Sequence, residues 1–146
     1  MRNLMCVLFL LLAGMACASS TNSHSRVSSL IGRVEAIRLQ VATARGAISD
    51  IPIPNSSNVD GLMLFQMKRD KLVARFDKAI ELDRVPQLKE LKRLHIAVEK
   101  LFAIGSNAQI FPLGSKESAA FARKAAMAQA YVDCAILISL SKNGGE

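Results

Sequence analysis

The hydrophobic pattern of the chain is clearest between residues 23 and 49. Apolar residues occupy two positions of a seven-residue repeat there, three residues apart, with no polar exception. They are Val27, Leu30, Val34, Ile37, Val41, Ala44 and Ile48. This spacing keeps apolar side chains on one face of an α-helix. It predicts a helix from about Ser23 to Ser49, which Pro52 and Pro54 prevent from continuing.

Three further helices are predicted from similar apolar faces, at about 58–83, 86–105 and 115–142. Asn58 and Ser115 are good N-caps, Pro86 suits a first helical residue, and Gly105 is expected to close the third helix. No segment alternates between apolar and polar residues as a half-buried strand would. Four helices with short loops predict an all-α, single-domain, up-down four-helix bundle.

The first twenty residues have the layout of a secretory signal peptide. Arg2 is their only charge, and the apolar run 4–13 is shorter than the ~20 residues that span a membrane. Small residues at Ala16 and Ala18 fit cleavage after Ala18. The prediction is a signal peptide at 1–18, a flexible lead-in at 19–24, the bundle at 25–142 and a tail at 143–146. The protein would then be secreted, or periplasmic in a bacterium.

Two alternatives exist for this N-terminus. A bacterial lipoprotein signal would be cut before Cys17, whose thiol would carry the lipid and anchor the protein in the envelope. Such signals normally have a branched aliphatic residue three places earlier, where this chain has Gly14. The other alternative is a buried N-terminal helix. Export without an anchor is the favoured interpretation.

Cysteine count and charge change the picture in two ways. Cleavage after Ala18 leaves about 128 residues with Cys134 as the lone cysteine, so an internal disulfide cannot form. We expect Cys134 to be buried among apolar neighbours rather than paired between chains. Cleavage also leaves 18 basic and 12 acidic residues, a net charge of +6. That excess favours acidic partners or anionic surfaces.

The most distinctive charge feature lies on the second predicted helix. Lys68, Lys71, Arg75 and Lys78 are spaced three, four and three residues apart, which places them on one helical face. Such a stripe could meet lipid headgroups, nucleic acid or an acidic protein, or could be a solvated face. Nucleic acid is disfavoured, because the chain has no Trp and one Tyr and is expected to leave the cytoplasm.

Two loops carry further candidates. The connection before the fourth helix contains Ile110, Phe111 and Leu113, which would either contact a partner or cap the bundle core; capping is favoured. Asn55 begins an Asn-Ser-Ser sequon in the loop after the first helix, so in a eukaryotic source it is a candidate glycosylation site.

No catalytic, cofactor or metal motif is found in the sequence. His24 lies in the polar lead-in, and His95 borders an apolar helix face, where a histidine with ordinary polar partners is the favoured interpretation. Metal sites require several ligands at short spacing, and neither histidine has them nearby. The predicted function is therefore that of a small secreted binding or interaction protein that is not an enzyme. The alternative is a bacterial envelope lipoprotein that assists assembly.

One enzymatic alternative comes from a short resemblance. The segment VATAR (41–45) followed by Pro52 and Ile53 resembles the V-A-x-x-K and P-I pattern of exported chorismate mutases over some thirteen residues. Arg45 replaces the family's Lys, and an Asn-Val pair stands at 58–59 where the family has Arg-Glu. The resemblance implies a dianion held by scattered cations in a helical pocket. Arg38, Arg45 and the second helix's cations would then converge on one cavity.

The apolar repeat of the first helix also permits self-association as a coiled coil. Its flanking positions are mostly arginine, at Arg26, Arg33, Arg38 and Arg45, so a self-pair would bring like charges together. A monomer with an internal bundle is therefore favoured.

Overall fold

The structure is a computed structural model that describes residues 2–81, 84–107 and 109–141, with side chains from residue 26 onward. Its helices are α1 (Arg2–Ser49), α2 (Val59–Ala79), α3 (Leu88–Asn107) and α4 (Lys116–Leu140). Within these ranges there is no strand. The all-α class and the four helices are therefore confirmed. No helix of the described part is both long enough and apolar enough to cross a membrane.

The first helix begins at Arg2, well before the predicted start near Ser23. The sequence has no proline before Pro52, so nothing in its backbone chemistry forces an earlier break. The signal peptide at 1–18, Cys17 and the lead-in at 19–24 fall where no side chains are described, and the tail at 143–146 lies outside the described residues. Removal of residues 1–18 stays a prediction.

The contacts divide the chain into two units, residues 1–34 and 35–146. In the first unit, Val27 and Leu30 of the apolar repeat are about half exposed, at 53% and 49%. In the second unit the repeat is buried, through Ile37, Val41, Ala44 and Ile48. The predicted apolar face therefore forms core only in its second half.

The core of the second unit takes one apolar stripe from each remaining helix. These stripes are Phe65, Leu72, Phe76 and Ala79 of α2, Leu91, Leu94, Val98 and Leu101 of α3, and Phe121, Ala125, Ala128, Val132 and Ala135 of α4. Successive residues of each stripe are three, four or seven positions apart, the spacing that keeps side chains on one helical face. The helices turn their charged faces away from this core.

Both predicted N-caps are confirmed. The Asn58 side-chain oxygen accepts from the backbone N–H of Gly61 at 3.0 Å, and the Ser115 hydroxyl accepts from the N–H of Ser118 at 3.0 Å. Each bond satisfies one of the amide groups that a helix start leaves without a partner.

The end of α2 and the start of α3 differ from the prediction by a few residues. Helix α2 ends at Ala79, because the chain turns there: the Ile80 N–H contacts the carbonyls of Phe76 and Asp77, at 3.1 and 3.3 Å. A turn closed by the Arg84 N–H on the Glu81 carbonyl follows, at 3.1 Å. Pro86 is buried in this connection rather than opening α3, which begins at Leu88.

The prediction that Gly105 closes α3 is wrong, because the helix continues to Asn107. Gly105 is buried against the ring of Phe121. A Cβ atom at residue 105 would lie 2.8 Å from Phe121 Cε1 and 2.9 Å from Cε2. The glycine is thus required for a close approach of α4 to α3, not for a helix end.

The predicted orientation of α4 is also wrong. Small residues recur every four positions on this helix, at Ser118, Ala122, Ala126, Ala130 and Cys134, and this spacing predicts a smooth ridge against a neighbouring helix. The last four of them are exposed. The helix instead buries the stripe that contains Phe121 and Val132, whose side chains remove more apolar area from water than an alanine row does. The expected burial of Cys134 fails for the same reason, and its thiol is free.

Candidate functional site

The predicted basic stripe of α2 lies at the edge of that helix's buried stripe. Three of its cations immediately precede core residues: Lys71 precedes Leu72, Arg75 precedes Phe76, and Lys78 precedes Ala79. One residue corresponds to about 100° of rotation around the helix axis, so the cations all lie on the same side of the buried stripe. All four stripe residues are exposed.

Helix α3 contributes two cations with the same offset, which the sequence analysis missed. Arg93 precedes the buried Leu94, and Lys100 precedes the buried Leu101. The two are seven residues apart, two helical turns, and therefore share a face. On both helices a cation immediately precedes a buried apolar residue. This repeated pattern is the signal in the sequence that indicates them.

The two sets of cations line one groove between α2 and α3. A hollow of about 480 Å³ is lined by Arg75, Lys78, Arg93 and Lys100. A hollow of about 260 Å³ is lined by Lys68, Lys71, Arg75 and Lys100. The hollows share Arg75, Ala97 and Lys100, so they adjoin. We call this surface, formed by Lys68, Lys71, Arg75, Lys78, Arg93 and Lys100, the basic groove.

Apolar side chains line the groove between its charged walls. Ile96, which is 47% exposed, lines the larger hollow, and the buried Leu72, Leu94 and Leu101 lie beneath the two hollows. Ala97 lies midway between the two α3 cations, and its single methyl group leaves space where a larger side chain would fill the groove. The groove thus combines cationic walls with an apolar floor.

The cations of the groove have no ion-pair partner among the described residues. In the described ranges, none of the six forms an ion pair or a side-chain hydrogen bond. Among the described residues, the carboxylate that lines the hollows is that of Glu90, and both of its oxygens accept from Arg84, each at 3.1 Å. Like charges three and four residues apart on a helix repel by a few tenths of a kcal/mol per pair.

Arg38 and Arg45 do not join these cations. Arg38 donates to the backbone carbonyl of Arg84 at 2.6 and 3.2 Å, and Arg45 forms an ion pair with Asp77 at 2.9 Å. Neither lines the basic groove. The convergence on one cavity that the chorismate mutase resemblance implies is therefore not present among the described side chains.

The apolar residues of the connection before α4 differ in their exposure. Ile110 and Phe111 are buried, and the Phe111 ring stacks on Phe121 with centroids 4.4 Å apart and meets the edge of Phe65 at 5.4 Å. These two residues cap the core, so in this structure they are not available to a partner. Leu113 is fully exposed.

His95 lies half-exposed between α3 and α4. Its Nδ1 is 2.7 Å from Asp133 Oδ1, its Nε2 is 3.4 Å from Glu99 Oε1, and the amide of Gln129 lies against the ring. Both ring nitrogens thus have polar partners within the protein. No group of three or more residues suited to a metal ion was found in the described part of the chain.

A third hollow lies on the other side of α3. It measures about 430 Å³ and is lined mainly by apolar residues, among them Val98, Phe102 and Ala126. Elsewhere, the candidate glycosylation residue Asn55 is exposed in the loop between α1 and α2.

No protein family, no curated protein and no solved structure matches this chain.

Proposed function

We propose that this chain is a small secreted binding protein that holds an anionic group of its partner in the basic groove. It would act as a single-domain, up-down four-helix bundle after loss of residues 1–18. The observation that supports this most strongly is the convergence of six exposed cations from two helices on one concave surface.

Electrostatics explains why such a surface suits a partner. A carboxylate, sulfate or phosphate in the groove would replace repulsion between neighbouring cations with attraction to both walls. Complementary charge of this kind accelerates association and makes it depend on salt concentration. The packing of the two helices also fixes the backbone positions from which the cations project, which limits the entropy lost on association to that of the side chains.

The competing hypothesis is that these cations only keep the surface solvated. It does not explain why both walls of one groove carry them while the lining carboxylate, Glu90, is bound to Arg84. Charges that serve solubility alone have no reason to face the same hollow.

The test compares two double variants with the same change in net charge. Lys71→Glu with Lys100→Glu reverses one cation on each wall of the groove. Lys116→Glu with Arg123→Glu reverses two exposed cations of α4, which do not line the groove. The probes are heparin and vesicles containing phosphatidylglycerol, measured at low salt.

We expect the groove variant to lose at least tenfold in affinity for at least one probe, and the α4 variant to lose less than twofold. Equal losses in the two variants would show that net charge alone drives binding. Absence of binding to either probe by the unmodified protein would also contradict the proposal.

Secretion has its own test, the intact mass of the protein purified from its host. A mass corresponding to residues 19–146 would support a soluble exported form. A mass that begins at Cys17 and includes acyl chains would support the alternative of an envelope lipoprotein, and an increment on Asn55 would indicate a eukaryotic secretory route.

A further inference from the structure

The shape of the basic groove restricts what can fill it. The α2 wall runs from Lys68 to Lys78, ten residues or about 15 Å along the helix axis. The α3 wall runs from Arg93 to Lys100, about 10 Å. Each wall follows one helix, and a hollow lies between them. A flat membrane surface would reach the rims but would leave this hollow empty, whereas a rod-shaped element would lie along it.

The floor of the groove adds a chemical requirement. Its accessible apolar surface comes from Ile96, Ala97 and Ile104, above the buried Leu72, Leu94 and Leu101. A sulfated or phosphorylated chain presents no apolar group to such a floor. The matching ligand carries an apolar strip with negative charges on both sides.

We propose that the basic groove binds an acidic amphipathic α-helix of a partner protein. The partner helix lies along the groove with a large apolar side chain over Ala97 and with carboxylates directed to the cations of both walls. Helices that dock in this way use apolar residues spaced three, four and seven apart as anchors. The inference deepens the proposed function and rests on it, because it names the ligand class of the same groove.

Ala97 has the central position in this arrangement. It lines both hollows and lies four residues after Arg93 and three before Lys100, on the same face of α3. A larger side chain at this position would occupy the space of the partner's anchor without changing any charge. Ala97 is therefore the residue that separates binding of a helix from binding of anions in general.

The experiment uses the full chain and two synthetic 18-residue peptides of equal composition. In the first, leucines recur three, four and seven residues apart and glutamates flank them on both sides. In the second, the same residues are scrambled so that the leucines share no face. Fluorescence anisotropy at low salt measures binding to the unmodified protein, to Ala97→Leu and to the control variant Ala103→Leu, which enlarges an exposed alanine of α3 outside the groove.

We expect the amphipathic peptide to bind at least tenfold more tightly than the scrambled one. Ala97→Leu should weaken that binding at least tenfold and heparin binding by a smaller factor, and Ala103→Leu should change neither. Circular dichroism and thermal unfolding verify the fold. If Ala97→Leu does not fold, Ala97→Gln fills the same space with a polar side chain of good helix propensity.

Two outcomes would overturn the inference. Equal binding of the two peptides, or unchanged peptide binding by Ala97→Leu, would show that the groove does not select a helix, although it would still bind anions. If Lys71→Glu with Lys100→Glu retained full affinity for heparin, vesicles and peptide alike, the proposed function itself would fail. The charge variants and the Ala97 variants thus distinguish the two failures.

Discussion

Cations lie on both sides of α2 in opposite situations, contributed by α1 and α2 on one side and by α2 and α3 on the other. Toward α1 and the following loop, Arg38, Arg45 and Arg69 each contact a partner; we call these three residues the arginine seam. Arg38 donates to the Arg84 carbonyl, Arg45 pairs with Asp77, and Arg69 donates to the carbonyl of Ile51 at 3.3 Å. Toward α3, the six cations of the basic groove have no such contact in the described part of the protein.

This difference teaches that neighbours, not residue type, decide what a cation does for the fold. A guanidinium that donates to a backbone carbonyl satisfies an acceptor that would otherwise lose its bond to water. A cation beside other cations weakens the helix slightly and stays available to an external anion. The arginine seam should therefore affect stability, and the basic groove should affect binding.

Arg38→Ala should give the largest effect on stability. It removes a guanidinium that donates twice to the Arg84 carbonyl and once to that of Glu81, and the Arg38 side chain is only 16% exposed. We expect a loss of about 2 kcal/mol in the free energy of unfolding. Urea unfolding monitored by circular dichroism measures it. Arg38→Lys keeps the charge without the planar fork and should recover only part of the loss; a full recovery would mean that charge alone matters.

Arg84→Ala should give the second largest effect on stability. Arg84 contacts both the arginine seam and the basic groove. The backbone of Arg84 accepts from the arginine seam, while its guanidinium binds Glu90 in the basic groove. Its loss should cost about 1 kcal/mol of stability and leave a bare carboxylate among the groove's cations. We therefore expect weaker binding of heparin, with recovery in Arg84→Ala combined with Glu90→Gln. Unchanged heparin affinity in the single variant would contradict the role given to Glu90.

Arg45→Ala should have a smaller effect. Its ion pair with Asp77 is exposed at both ends, with 39% and 50% of the side chains accessible. Solvent screening and side-chain entropy limit such pairs to about 0.2–1 kcal/mol. Added salt should reduce the difference between the variant and the unmodified protein. A loss as large as that of Arg38→Ala would mean that the seam acts as one network rather than as separate contacts.

The sequence predicted the elements well where a local chemical signal existed. The seven-residue repeat predicted the buried face of Val41 and Ile48, and the N-caps Asn58 and Ser115 were predicted because their bonds are formed within one helical turn. The α2 half of the candidate site could also be predicted from the sequence, because the basic stripe lies on a single helix. These features depend on spacing along the chain alone.

The remaining features depend on which helices are neighbours, and spacing does not contain that information. Arg93 and Lys100 join the site because α3 packs beside α2, and Gly105 is required because α4 brings Phe121 against it. Cys134 was expected inside because its neighbours in sequence are apolar. It is exposed because α4 buries the larger Phe121 and Val132 instead.

Lys71→Gln with Arg75→Gln should give the smallest effect on stability and the opposite sign. These cations are four residues apart on α2 and have no ion-pair partner in the part of the chain that the structure describes, so neutralising both removes repulsion. Glutamine keeps a comparable helix propensity. We expect the free energy of unfolding to stay constant or rise by a few tenths of a kcal/mol, while affinity for heparin falls at least tenfold.

Such a separation of stability from binding indicates residues that are placed for an external anion, because a surface that serves the fold would lose stability together with binding. A destabilisation of about 1 kcal/mol or more would place the basic groove in the same class as the arginine seam and remove the contrast between them.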